Sequence, residues 1–87
     1  MTHKLKILPV YFKSVVDGTK TFEVRKNDRN FKSGDIVILQ EYENNDYTGF
    51  SVWGHIGFIL DSEEYLQNGY VVFSFIKATN GNPPKEV

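Results

Sequence analysis

The feature that most constrains the fold is the lack of a long helical pattern between the strand-like segments that follow residue 20. Parallel strands need long crossover connections, which are usually helices, whereas antiparallel strands can be joined by short turns. These segments therefore predict a mostly antiparallel sheet. A chain of 87 residues has enough surface for one core and too little for two. We expect an α+β, mainly β domain that forms a small mixed or antiparallel, partly closed β-barrel.

One helix is predicted near the N-terminus, after a first strand. Pro9 near its start and Gly18 just beyond its end are typical helix boundary residues. The pattern predicts a helix over about 9–17 with one apolar face on the core. The apolar residues that recur there with helical spacing are Leu8, Tyr11, Phe12, Val15 and Val16.

Residues 20–26 alternate between apolar and polar side chains, as in a half-buried strand. The alternation predicts that Phe22 and Val24 face the core. Glu23 and Arg25 would then share the opposite face, where we expect the chemistry of the chain.

Three further strands are predicted along the rest of the sequence. Residues 36–39 are apolar throughout, which is typical of a central strand, and residues 44–49 contain the turn of a hairpin. Residues 50–60 predict a long strand that curves at its two glycines, and residues 70–76 predict a final apolar strand. The residues that the alternation places on the core side of the long strand are Phe50, Val52, Ile56, Phe58 and Leu60. We expect one domain over residues 1–78 and a flexible tail over residues 79–87.

Composition excludes several classes of function. The chain has no cysteine, which rules out a disulfide scaffold, a cysteine-rich zinc module and thiol catalysis. His3 and His55 are the only histidines and lack the spacing of metal ligands, so we expect no metal and no cofactor. The sequence has neither a signal peptide nor a run of about 20 apolar residues, which leads us to expect a cytoplasmic protein without a membrane span.

The net charge of −1 hides a strong asymmetry along the chain. Residues 1–32 contain eight Lys and Arg against three acids, or +5, whereas residues 33–87 carry a net −6. One interpretation is a face made for an anionic partner, and the other is scattered solvated charge.

Glu23 and Arg25 can cooperate in recognition with the nearby Lys20. Alternate strand residues lie on one face about 6.6–7 Å apart, so both side chains can reach one ligand. Arginine suits a phosphate or a base edge, glutamate accepts from an exocyclic amine, and lysine adds a mobile positive charge. The alternative is an ordinary surface ion pair that contributes less than about 1 kcal/mol.

The segment Gly18-Thr19-Lys20-Thr21-Phe22-Glu23-Val24-Arg25 resembles the G-x-K-x-x-E-x-R signature of the activating-signal-cointegrator-homology (ASCH) domains, which belong to the PUA-like superfamily. The likeness extends over about residues 3–77. The chain is similar in particular to small bacterial and phage members of this family whose function is unassigned. The resemblance implies a barrel with a helix beside a cleft that contains Lys20, Glu23 and Arg25, and it implies RNA binding.

Four further residues are candidates for contacts with RNA. Lys26, Arg29 and Lys32 continue the basic run and can contact phosphates without sequence specificity. With three to five such contacts, affinity would fall with salt on a log-log slope of about −2 to −4. Trp53 is the candidate for stacking an unpaired base, and the alternative for Trp53 is a structural role at one end of the barrel. The other aromatic residues that fit the core pattern are Tyr11, Phe12, Phe22, Phe58, Phe73 and Phe75.

The sequence therefore favours a domain that binds RNA or a modified nucleotide, and two alternatives stay open. An ASCH-type group of amidohydrolases deacetylates N4-acetylcytidine with a lysine that Lys20 matches. Those enzymes have a threonine where this chain has Glu23, and they use an acid from a longer insertion. The second alternative is a protein-interaction module, which would be favoured by scattered basic residues and one contiguous acidic patch.

Overall fold

The strands form one curved sheet, which leaves a gap between its two outer strands. The computed structural model describes residues 1–79 and 81–84. The expected fold class is confirmed, because the molecule is mostly β with one helix and its mixed five-stranded sheet is curled into a half-barrel. In chain order, the elements are β1 (Thr2–Ile7), α1 (Pro9–Asp17), β2 (Phe22–Lys26), β3 (Ile36–Glu43), β4 (Asp46–Leu60) and β5 (Tyr70–Lys77).

The order of strands across the sheet is β1-β3-β4-β5-β2. β1 runs parallel to β3, and the other three pairs are antiparallel. The chain between β1 and β3 includes α1 and β2, so it is long enough for a parallel crossover. Between β3 and β4, Asn44 and Asn45 both have positive φ, as a tight hairpin turn requires. Consequently, the first 26 residues supply both outer strands of the sheet.

Helix α1 has the predicted bounds. Pro9 opens it, and Gly18 ends it in the left-handed conformation with its N–H donated to the Val15 carbonyl. The predicted apolar face is only partly correct. Val15 is buried and Phe12 packs against the core, whereas the other three residues of the stripe, Leu8, Tyr11 and Val16, are exposed.

The core lies on the concave side of the sheet and includes Phe73 and Phe75, as predicted. Phe31, between β2 and β3, is also buried, and its ring packs against His3 and Phe73 at centroid distances of 4.7 and 5.2 Å. The Phe31 N–H is satisfied by the Asn27 side chain at 3.1 Å. The buried apolar residues are Leu5, Ile7, Val15, Phe31, Val37, Leu39, Ile56, Val71, Phe73 and Phe75.

The orientation predicted for β2 is wrong. The strand begins at Phe22 rather than at residue 20, and Phe22 and Val24 are about half exposed. Glu23 instead is 2% exposed and faces inward, and Arg25 is partly buried. Alternation shows which residues share a face but does not show which face is inside. Here the polar face points into the half-barrel.

The long strand β4 departs from its predicted alternation at a β-bulge. Its register against β5 shifts between Ile56 and Ile59, so Ile59 packs against the core and Phe58 is 73% exposed. Phe50 and Leu60, also predicted on the core side, are exposed as well. Gly57 lies within this shift, after which the side chains that alternate along β4 exchange faces of the sheet.

The predicted C-terminal tail is described only in part. Trp53 Nε1 donates to the Gly81 carbonyl at 3.1 Å, and the Ala78 N–H donates to the Trp53 carbonyl at 2.9 Å. Positions 80 and 85–87 of the predicted tail lie outside the described residues. Over the ranges that are described, no helix has the length and apolar character needed to cross a membrane.

Asp35 joins the N-terminal strand to the start of β3. His3 Nε2 lies 2.7 Å from Asp35 Oδ2, which also accepts from the Lys32 N–H at 3.1 Å. Burial opposes ionisation of this carboxyl, but the hydrogen bonds from His3, from the Lys32 backbone and from the N-terminal ammonium outweigh it and lower the pKa of Asp35.

Because the pKa of Asp35 is lower in the folded protein, its stabilising contribution is present above the ordinary value of 3.8 and is lost as pH falls further. Asp35→Asn should lower the free energy of unfolding at pH 7 by about 1–3 kcal/mol, since the amide carries no charge and replaces one of the two acceptor oxygens with an NH2 group. It should also reduce the loss of stability between about pH 4 and pH 2. Urea unfolding across this range measures both effects, and Asp61→Asn in an exposed loop is the control. An unchanged pH dependence would contradict this role for Asp35.

Gly54 allows β4 and β5 to approach closely. A Cβ at this position would clash with the backbone carbonyl of Ile76, which cannot move without disturbing the strand pair. At Gly57 an added Cβ meets only the side chains of Ser74 and Ile76. We expect Gly54→Ala to destabilise the fold by about 2–4 kcal/mol and Gly57→Ala to cost less. Thermal unfolding of both variants compares them, and equal losses would be inconsistent with the backbone clash.

Candidate functional site

The carboxylate of Glu23 lies at the centre of a buried ion-pair cluster on β2. Arg25 donates to Glu23 Oε1 from Nε at 3.1 Å and from Nη2 at 2.7 Å. Lys20 Nζ donates to Glu23 Oε2 and to the Phe22 carbonyl oxygen, the latter at 2.6 Å. Lys20 and Arg25 retain 18% and 23% of their side-chain exposure, so both cations are partly neutralised from inside and still reach the surface.

The local structure explains why these three side chains meet. β2 pairs with β5 so that Glu23 is opposite Phe73 and Arg25 is opposite Val71, two buried residues of the core. Lys20 lies in the turn that follows α1, where its N–H donates to the Ser14 carbonyl at 3.0 Å. The end of the helix and the start of the strand therefore fix both cations relative to one carboxylate.

A first cavity of about 440 Å³ opens beside this cluster. The Lys20 ammonium lies 4.9 Å from the centre of the Phe22 ring and 5.9 Å from the centre of the Tyr11 ring. The cavity thus combines a largely apolar wall with three cations. Its lining residues are Lys6, Ile7, Leu8, Tyr11, Lys20, Phe22, Glu23, Val24 and Arg25.

A second cavity of about 350 Å³ adjoins the first. Lys6 of β1 and Arg25 of β2 line both cavities, which places the pair of cavities along the gap between the two outer strands. We call this pair the edge groove. The residues that line the second cavity are Lys4, Leu5, Lys6, Arg25, Lys26, Asp28, Arg29, Phe31 and Tyr47.

The edge groove gathers most of the positive charge of the N-terminal region. Six of the eight basic residues in positions 1–32 line it, together with two acids, Glu23 and Asp28. Lys13 and Lys32 are the two that do not. The charge asymmetry of the sequence therefore corresponds to a local cationic surface rather than to evenly scattered charge.

The site residues predicted from sequence fall into three groups. Lys20, Glu23 and Arg25 meet in the first cavity, and Lys26 and Arg29 line the second. Lys32 and Trp53 line neither of them. Trp53 is partly buried on β4, and several other rings, including Phe58, are more exposed.

Sequence reasoning missed the contribution of β1 and of the β3–β4 hairpin. Lys4 and Lys6 alternate with the buried His3, Leu5 and Ile7, a pattern that predicts an edge strand with a basic outer face. The contribution of Tyr47 has no such local signal, because the half-barrel brings it to Lys6 from a distant part of the chain.

Tyr47 lines the second cavity, and the centre of its ring lies 5.9 Å from the ammonium of Lys6, a residue that both cavities share. Its ring packs edge-to-face on Tyr42 with a centroid distance of 5.0 Å, and the Lys6 ammonium lies 4.3 Å from the centre of the Tyr42 ring. These contacts hold an aromatic ring and a cation side by side.

Among residues 1–79 and 81–84, no three His, Asp or Glu side chains form a cluster that could hold a metal ion. His3 is buried against Asp35, and His55 lies exposed on β4. The expectations that the chain uses no metal and no cofactor stay predictions.

The burial of Glu23 gives a test of the ion-pair cluster. Glu23→Gln should lower the free energy of unfolding by about 1–3 kcal/mol, since the amide removes the charge that both cations share. In a double-mutant cycle with Arg25→Ala, the two losses should not add, because each substitution removes the same contact. Chemical denaturation measures the cycle, with Glu63→Gln as an exposed control. Additive losses would contradict a coupled cluster.

The sequence is similar to known proteins over most of its length. A 36% identical relative is the uncharacterized 12.9 kDa protein in the GpA 3′ region of Escherichia phage P2, matched over 66 residues. The match covers 76% of this chain and 61% of the phage protein, so this chain corresponds to only part of that relative's length. The model of the domain of unknown function DUF3850 matches residues 2–75, which include β1 through most of β5 and all residues of the edge groove. The chain therefore belongs to the DUF3850 family.

Proposed function

We propose that this protein binds RNA, or a modified nucleotide, in the edge groove, as a PUA-like domain of the ASCH type. The observation that carries the proposal is the gathering of six basic residues between the two outer strands, beside an apolar wall. Phosphates bind to cations, and bases bind to aromatic and apolar surfaces, so a nucleotide matches both parts of the groove.

Within this proposal, Lys20 and Arg25 are the ligand contacts of the first cavity. Both oxygens of Glu23 already accept from these two cations, and its side chain is 3% exposed. Glu23 therefore acts best by holding the cations in place, although the sequence suggested a direct contact with an exocyclic amine. The Phe22 and Tyr11 rings beside Lys20 are placed to cover the face of a base.

The remaining predicted contacts have different support. Lys26 and Arg29 line the second cavity and suit phosphate contacts that do not depend on sequence. Trp53 as a stacking residue has less support, because its indole N–H is bonded to Gly81 and its ring is outside the groove.

The geometry favours binding over the amidohydrolase alternative. Lys20 uses its ammonium hydrogens in bonds to Glu23 and Phe22, whereas a general base needs a free lone pair. The basic residues lie together in the edge groove, whereas a protein-interaction module would be favoured by scattered basic residues. Their arrangement therefore offers little support for that alternative.

Substitution of the two cations tests the proposal. Lys20→Met and Arg25→Met should each weaken binding of a mixed pool of short single-stranded and hairpin RNAs by about 5-fold or more, since each removes a charge that contacts the ligand. Amide-resolved NMR titration at near-physiological salt measures the affinity and also shows that each variant is folded. In the wild type, shifts should cluster on residues 20–29 and weaken as salt is added.

Lys13→Met is the matched control, because Lys13 is an exposed lysine of α1 that does not line the groove. It should bind RNA as the wild type does. Shifts that are spread over the whole surface, or an equal loss in all three variants, would reject a specific site at Lys20 and Arg25. If no RNA shifts any amide, free modified nucleosides such as N4-acetylcytidine become the ligands to titrate next.

A further inference from the structure

We infer that the edge groove binds a single-stranded RNA segment of about four nucleotides, rather than one nucleotide, with Tyr47 as a stacking platform. The inference rests on the proposed function and specifies its ligand. The two cavities are continuous, because both are lined by Lys6 on one outer strand and by Arg25 on the other. A ligand confined to the first cavity would leave the second one, with most of the basic residues, unused.

The second cavity is built for more than one phosphate. Four of its basic residues, Lys4, Lys6, Lys26 and Arg29, have no acidic side chain within ion-pair distance in the part of the chain that the structure describes. Lys20 and Arg25, in contrast, are already neutralised in part by Glu23. Lys4, Lys26 and Arg29 line only the second cavity, so most of the unpaired positive charge available to a phosphate chain lies outside the first cavity.

Tyr47 gives the second cavity a surface for a base. Its side chain is 50% exposed, and the edge-to-face contact with Tyr42 limits its rotation. The cavity volumes suit single unpaired bases, which stack on aromatic rings, and they are too small for a base-paired helix. The rings of Tyr11 and Phe22 beside Lys20 and the ring of Tyr47, 5.9 Å from the Lys6 ammonium, provide two separate places for bases.

The length of the edge groove sets the size of the ligand. β1 and the residue that follows it line the groove from Lys4 to Leu8, and five residues of a strand span about 13 Å at the 3.3 Å rise of parallel strands. Stacked nucleotides advance by about 3.4 Å each, so the groove matches about four of them.

Affinities for uridine 5′-monophosphate and for the single-stranded tetranucleotide of uridine test the inference by calorimetry with the whole chain. The tetranucleotide should bind at least 10-fold more tightly. Its affinity should also depend on salt with a log-log slope of about −2, which corresponds to three phosphate contacts, and the mononucleotide should show a smaller slope. The tetranucleotide of 2′-deoxyuridine, which differs from that of uridine only by the missing 2′-hydroxyl, shows whether this group contributes.

Two sets of variants separate the cavities. Lys4→Met combined with Arg29→Met should remove most of the gain of the tetranucleotide and reduce its salt slope by about 1, while affinity for the mononucleotide stays within 2-fold. The double variant Lys13→Met with Lys32→Met changes the charge equally outside the groove and should have no effect on either ligand.

Tyr47→Ala should weaken the tetranucleotide by about 5-fold or more, and Tyr47→Phe, which retains the ring, should not. Tyr65→Ala removes an exposed ring outside the groove and is the matched control. The same change in the Tyr47→Ala and Tyr65→Ala variants would overturn the role of Tyr47.

The outcomes distinguish this inference from the proposed function. If the mononucleotide binds in a manner that depends on Lys20 and the tetranucleotide binds no more tightly, the extended ligand is wrong and the nucleotide site stands. If neither ligand binds to the wild type, the inference is wrong together with the proposal on which it rests.

Discussion

The buried carboxylate of Glu23 is the constraint on which the rest of the site depends. An ionised carboxylate cannot be taken out of water without cations close to it, and here it faces the concave side of the sheet among core residues. Lys20 and Arg25 meet this requirement from opposite sides of the same residue. Two cations and one anion leave a net positive charge at the surface, and the shared carboxylate limits the motion of both. The interaction that satisfies the core therefore also prepares the groove for an anion.

The order of strands explains why the basic residues meet although they are distributed along 26 residues. β1 and β2 are close in sequence, yet they occupy opposite edges of the sheet because β3, β4 and β5 lie between them. The curl of the sheet then brings these edges toward each other, and residues of both line the groove. A flat sheet with the same strand order would hold the two basic strands apart. Curvature thus gathers charge as well as closing the core, and β4 contains a bulge and glycines, features that typically bend a strand.

Local signals in the sequence predicted the helix and the general architecture well. Pro9 and Gly18 bound α1 as expected, because capping preferences act within one turn of the chain. The predicted orientation of β2 is wrong, because apolar side chains usually point inward and here they do not. Burial of Glu23 is stabilised by an ion pair with Lys20, which lies outside the strand, so the alternation within β2 does not reveal it. Phe58 was misplaced because a bulge reverses the alternation. The roles of Asp35 and Tyr47 depend on contacts with distant segments, which periodicity cannot reveal.

The outer strands have a further consequence for the mechanics of the molecule. β1 and β2 each pair with one neighbour, so their free edges are where the sheet can open locally with the least loss of contacts. No backbone ladder joins these two edges to each other in the described fold. A ligand that contacts both edges would bridge them across the half-barrel, and its binding free energy would add to the free energy needed to open the sheet. Occupancy of the groove would then increase the protection of the backbone against proteases and solvent exchange at positions far from the groove.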